Sequence, residues 1–143
     1  MSETKTVHAL DGFFADTAEG PRLIGSRCAT CGTAYFPRSA MCHNPACDLS
    51  KTEDANLGAE GRLWSMAIQN YPPPPPSKYN EPYQPYAMGV VDTSDGLRVL
   101  TQIATDDPHG LTIGCKVRLV IDELYRDKDG TSVLTWKYRP VVL

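Results

Sequence analysis

No apolar run in the 143-residue chain approaches the roughly 20 residues that a membrane-crossing helix needs. The opening stretch MSETKTVHALDGFF lacks a basic region followed by an apolar one. No secretory leader is therefore expected, and the expected home is the cytoplasm, with no membrane partner. Stable disulfides are disfavoured in that compartment. Charge of one sign is missing too: 14 basic residues face 17 acidic ones. Residues 1–20 carry net −3, residues 21–57 net +1 and residues 58–143 net −1. Nucleic-acid binders draw much of their affinity from neutralising phosphates. No segment here is a basic stripe, so nucleic acid is not an expected partner, and a nucleic-acid-binding module is kept only as an alternative function. Also missing are a Gly-x-Gly-x-x-Gly turn, a Walker loop, a Gly-x-Ser-x-Gly elbow and a His-Glu-x-x-His helix. The histidines, His8, His43 and His109, are scattered. No catalytic residue is expected in this chain.

What is present is a cysteine cluster. Cys28-x2-Cys31 is followed, ten residues on, by Cys42-x4-Cys47. A Cys-x2-Cys knuckle sets two thiolates at the spacing of one metal's ligands, and Gly32 permits the tight turn behind it. Two such loops facing each other make a tetrahedral thiolate site that suits one structural Zn²⁺. Residues 33–38 read as the short strand between the knuckles. His43 lies inside the second loop and could replace a cysteine. Four thiolates, however, close the shell with no open catalytic position. Rubredoxin-like iron takes the same geometry and stays open at this point. Residues 22–57 hold few large aliphatics after Ile24, so this segment needs such a staple. Cys115 stands apart and reads as a core cysteine.

Around the ribbon lie two other segments. In residues 1–21, Leu10, Phe13, Phe14 and Ala18 fall near helical spacing. A short N-terminal helix is expected, weakened by Gly12 and ended by Gly20-Pro21. Its Phe13 and Phe14 could cap the chain's own fold or face another subunit. Residues 58–143 read as β throughout, with strands expected over 62–71, 86–91, 97–103, 115–122 and 132–138. Thr93-Ser94-Asp95-Gly96 and Asp127-Lys128-Asp129-Gly130 are hairpin turns. Five antiparallel strands of this length close into a small barrel, which removes the exposed edges; an OB-type barrel is the first expectation, with a small sandwich or an SH3-like barrel second. Pro72 to Pro76, five prolines in a row, cannot donate to a ladder and form an extended loop. Tyr71, Tyr79 and Tyr83 flank it; tyrosine and proline offer contact area at low ordering cost, which suits a partner interface.

A helix, a zinc ribbon and a five-stranded barrel in this order resemble the DUF35 family of zinc-ribbon OB-fold proteins. The match runs through Cys28-Ala29-Thr30-Cys31-Gly32, Tyr35-Phe36-Pro37-Arg38, Pro85 to Val91, Gly96 to Thr101 and Leu111 to Val117. The second knuckle departs from it: Cys-His-Asn-Pro-Ala-Cys stands where the family has Cys-Pro-x-Cys. The resemblance implies an accessory subunit whose thiolase-fold partner carries the chemistry on a β-ketoacyl-CoA thioester. Aldolases and MaoC-type hydratases are the other partners it implies. By the same analogy the assembly would be an α2β2 heterotetramer, with acyl-CoA met through the complex. A ribbon bearing Arg22, Arg27 and Arg38 could then lie over the partner's CoA channel and meet its phosphates.

Overall fold

The computed structural model describes residues 5–141, which form ten strands and one 3₁₀ turn at Pro108–Gly110. The strands are β1 (Thr6–His8), β2 (Phe14–Thr17), β3 (Gly20–Cys28), β4 (Ala34–Tyr35), β5 (Thr52–Leu57), β6 (Glu60–Gln69), β7 (Tyr86–Thr93), β8 (Arg98–Ile103), β9 (Lys116–Arg126) and β10 (Ser132–Pro140). In the smaller sheet β3 is central, paired with β2, β4 and β5. The larger sheet runs β1-β10-β8-β7-β6-β9, and the additional pairing of β9 with β10 closes five of its strands into a barrel. All barrel pairings are antiparallel except the short β8–β10 contact at Ile103 and Tyr138. That order and orientation are those of an OB barrel.

The expected N-terminal helix is absent. The segment is split between the two sheets instead: β1 runs parallel to β10, and β2 forms a hairpin with β3. Adjacent Phe13 and Phe14 suit a strand, where neighbours face opposite ways, better than a helix face. Gly12 turns the chain at φ +80, outside the helical region, and Leu10 is left exposed. The Phe13 carbonyl accepts the Ile24 N–H at 2.8 Å, a ladder bond to β3. Gly20, at φ +110, closes the two-residue hairpin loop between Thr17 and Gly20.

In the barrel the alternation works as read. On β9, Val117 and Leu119 are buried while Lys116 and Arg118 point outward. On β8, Val99, Thr101 and Ile103 face in. Leu63, Ala87, Val91 and Tyr138 complete the interior, and each fully buried leucine or valine there contributes about 1.5–3 kcal/mol. The same core continues into the smaller sheet through Phe14, Leu23 and Leu57. The ribbon therefore leans on the barrel as well as on its cysteines. An aromatic chain marks that seam. Trp136 of β10 meets the edges of Phe14 (5.8 Å) and Phe36 (5.4 Å), and Phe36 in turn meets Phe13.

Candidate metal centre

Both knuckles are loops that return at fixed points of the small sheet. Cys28 ends β3, and its N–H and carbonyl bond Thr33 and Gly32 across the first turn. Gly32, at φ +79, allows that reversal. The second knuckle is organised by Asn44. Its side-chain oxygen accepts the Ala46 N–H at 3.0 Å, its carbonyl accepts the Cys47 N–H at 3.0 Å, and its amide nitrogen donates to Thr33 Oγ1. These contacts accommodate the two additional residues in the loop. The Cys42 N–H is held by Ser50 Oγ at 2.8 Å.

The four sulfurs of Cys28, Cys31, Cys42 and Cys47 all lie within 4.8 Å of one another. Cys28 and Cys47 Sγ are 3.8 Å apart, and Cys31 and Cys42 Sγ 3.5 Å. A tetrahedron of Zn–S bonds near 2.3 Å has sulfurs about 3.8 Å apart, so the cluster fits a tetrathiolate ion. His43 takes no place in it. Its Nε2 lies 3.0 Å from Ser39 Oγ and its ring packs edge-on to Tyr35.

The electrostatics of the cluster point to a cation. Backbone hydrogen bonds from Cys31, Lys51 and Thr30 pull the Cys28 thiol down to about 6, against the opposing effect of burial. The Thr33 hydroxyl and backbone lower Cys31 as well. At Cys47 the Leu49 backbone also favours the thiolate. Burial and the sulfurs of Cys28, Cys31 and Cys42 outweigh it and push the thiol up to about 12. Hydrogen bonding thus supports the first negative charges, and like-charge repulsion opposes the last. A divalent ion would remove that opposition. Tyr35 adds an outer contact: its hydroxyl is 3.3 Å from Cys42 Sγ and accepts the His43 N–H at 2.7 Å. The bond to Cys42, with burial, raises its own pKa.

The other anticipated residues lie outside the cysteine cluster. Arg22 folds back on its hairpin, bonding the carbonyls of Pro21 and Glu19. Arg27 bonds the Gly32 carbonyl, and Arg38 pairs with Asp54 at 3.3 Å. The three are held by three different local contacts. Phe14 is 2% exposed and stacked on His8, so it is a core residue with no surface to offer a partner. Phe13 is half-buried against Phe36. Tyr71 is 79% exposed. Tyr79 and Tyr83 are half-buried in an edge-to-face series with Tyr86. The proline loop is tied to the barrel rather than free. Asn80 bridges the Arg126 N–H (2.7 Å) and Glu123, and the Tyr83 hydroxyl donates to the Gln69 carbonyl. A cleft of about 510 Å³ opens beneath it, walled by Tyr79, Tyr83, Tyr86 and Tyr125. Sequence reasoning missed Tyr35, Asn44 and Ser50 as supports of the cluster. Only an Asn-Pro pair inside the knuckle hinted at an Asx turn there.

Residues 18–52 match the family model of the ChsH2 rubredoxin-like zinc ribbon domain, and residues 55–122 that of the ChsH2 C-terminal OB-fold domain. A DUF35 domain-containing scaffold protein of Methanocaldococcus jannaschii is 30% identical over 121 residues, 83% of this chain and 82% of that one. The benzoylsuccinyl-CoA thiolase subunit BbsA of Thauera aromatica is 27% identical over 121 residues, covering 85% of this chain and 78% of that subunit. Among solved structures, a chain of the Ltp2-ChsH2(DUF35) aldolase superposes with a TM-score of 0.63 at 26% identity, covering 85% of this chain and 86% of that one.

Proposed function

The chain belongs to the DUF35 family of zinc-ribbon and OB-fold proteins, and from that premise we propose that it is the accessory subunit of a heteromeric acyl-CoA enzyme. The observation that carries this reading is the similarity along more than four-fifths of the chain to proteins named as scaffold, thiolase subunit and aldolase component. The catalytic partner is a thiolase-fold enzyme acting on a β-ketoacyl-CoA thioester, one copy per accessory chain in an α2β2 assembly. Benzoylsuccinyl-CoA is the leading candidate substrate, by similarity to BbsA. The complex works in the cytoplasm. Among the described residues no helix is long and apolar enough to cross a membrane.

In this reading Cys28, Cys31, Cys42 and Cys47 hold one Zn²⁺, which cross-links the ribbon and stays out of the chemistry. Arg22, Arg27 and Arg38 remain candidates for the CoA phosphates, and Phe13, Tyr71, Tyr79 and Tyr83 for contact with the partner. A MaoC-type hydratase or steroid aldolase partner is the second reading; likeness to the Ltp2-ChsH2(DUF35) aldolase favours the latter.

The test is purification of the tagged chain from its native cytosol, with mass spectrometry of the bound protein, metal analysis and a thiolysis assay. A thiolase-fold partner, about one zinc per chain and CoA-dependent cleavage are expected. A hydratase or aldolase partner would move the assignment to the second reading. The absence of any acyl-CoA enzyme would overturn both.

A further inference from the structure

The chain is acidic overall, at net −3, yet one end of its barrel is not. Register places the outward-facing residues of five strands in rows there. Arg139 of β10 lies directly opposite Arg118 of β9, which lies opposite Glu60 of β6. In the next row Lys116 of β9 faces Arg62 of β6, which faces Asp92 of β7, which faces Arg98 of β8. Directly paired residues in such ladders stand about 4.5–5.5 Å apart. Five cations and two carboxylates therefore share this end. Glu60 is taken by Lys116 at 3.4 Å and Asp92 by Arg98 at 2.6 Å. Among the described residues Arg62, Arg118 and Arg139 make no close ion pair, although Arg62 and Arg118 stand opposite Asp92 and Glu60, and Arg62 donates to the Gly114 carbonyl at 3.1 Å. Facing arginines on neighbouring strands destabilise the free chain.

Beside the cations lies an apolar row. Trp64 follows buried Leu63 and so points outward, the β-bulge between Leu63 and Ser65 leaves Ser65 outward beside it, and Val90 and Leu100 continue the row from Ser65 on the next two strands. Trp64 is 52% exposed and Leu100 65%. The bulge places two successive residues on the outer face. The indole does not swing freely: the Arg98 guanidinium stacks on it at 4.1 Å and is itself held by Asp92. A pre-ordered Trp–Arg pair has little entropy left to lose, and these residue types dominate interface energetics.

We propose that this end of the barrel, with Trp64 and Leu100 at its apolar centre and Arg62, Arg118 and Arg139 at its rim, docks the catalytic acyl-CoA subunit through an apolar patch edged with carboxylates. The inference rests on the accessory-subunit reading and adds the surface and its complementary chemistry. Charge complementarity singles out a partner's acidic rim. The chain's own excess of acid lies elsewhere, and a bound partner would relieve the opposition of Arg118 and Arg139.

The test uses the native complex and the full chain. Arg118→Glu/Arg139→Glu and, separately, Trp64→Ala are introduced, with circular dichroism and metal content as fold controls. Dissociation is followed by analytical ultracentrifugation at 50 and 500 mM NaCl, between which the Debye length falls from about 14 Å to about 4 Å. The double reversal is expected to weaken the complex at least tenfold at low salt and to flatten its salt dependence. Trp64→Ala weakens it at both salts. Arg139→Thr in the free chain raises the melting temperature, since it removes a like-charge pair. A complex indifferent to all these changes overturns the inference while leaving the accessory role standing. A wild-type chain that binds no acyl-CoA enzyme overturns both. Self-association of the free chain abolished by Trp64→Ala would assign the face to a second copy, and an intact complex with a raised KM for the CoA substrate would make it a phosphate site; each overturns the proposal.

Discussion

Tyr138 and Gly58, eighty residues apart in sequence, are joined by a hydrogen bond of 2.7 Å from the tyrosine hydroxyl to the glycine carbonyl. Tyr138 is fully buried on the last barrel strand, and burial, with Asp95 nearby, drives its hydroxyl pKa upward. Gly58 sits between β5 of the ribbon sheet and β6 of the barrel, and its N–H is held by Asp95 Oδ1 at 2.9 Å. The bond ties the joint between the two sheets to the far end of the chain.

Tyr138→Phe should therefore leave a buried carbonyl unmet and cost about 1–3 kcal/mol in chemical denaturation. Gly58→Ala should cost more. Its φ is +76, and the new Cβ would stand 2.6 Å from the Tyr138 hydroxyl. A Gly58→Ala chain as stable as wild type would show that the joint yields.

Removing the metal, by chelation or by Cys28→Ser, should lower the melting temperature by roughly 10 °C, because metal affinity at such sites is folding free energy. Calorimetry alongside metal analysis tests this. A melting curve unmoved by complete metal loss would mean that the shared core alone holds the ribbon.

Around the cluster, Asn44→Ala and Tyr35→Phe should each weaken zinc binding by roughly 10–100-fold while leaving all four thiols in place. Asn44 shapes the long knuckle, and Tyr35 donates toward Cys42. Competition with a chromogenic chelator measures it. Unchanged affinity would reduce both residues to packing.

Acid should loosen the proline loop first. Glu123 is held below its ordinary value chiefly by the Ser132 hydroxyl, helped by Asn80 and Arg126. A depressed carboxylate stabilises the fold above its unfolded value, and this stabilisation is lost as pH falls through the lower folded value. The loss should set in below about pH 4.5, the ordinary value. Limited proteolysis across the 70–85 loop should rise in that range in wild type. In Glu123→Gln it should already be high at neutral pH.

Much of the molecule was legible in the sequence because its signals are local. The two knuckles were written in cysteine spacing, β9 in period-two alternation, the other barrel strands in apolar runs between turns, and both hairpins in their Asp-Gly turns. The N-terminal segment misled because Leu10, Phe13 and Phe14 satisfy a helical spacing loosely. What decided against a helix was β3 and β10 offering ladder positions to pair with. Strands β3 and β5 were hidden for a related reason: Leu23 and Leu57 pack into the core they share with the barrel, most of which lies outside residues 22–57.

The sequence by itself determined the chemistry available to the ribbon and the alternation at the start of β9, since thiol spacing and alternation act over a few residues. Tertiary structure decided which of those residues meet. It buried Phe14, gave Arg22, Arg27 and Arg38 three different local partners, and pinned Tyr138 to Gly58. It also gathered Arg62, Arg118 and Arg139 from a charge pattern that is even along the chain. Register between strands brings together residues tens of positions apart, and only barrel closure brings β9 and β10 into line with β6.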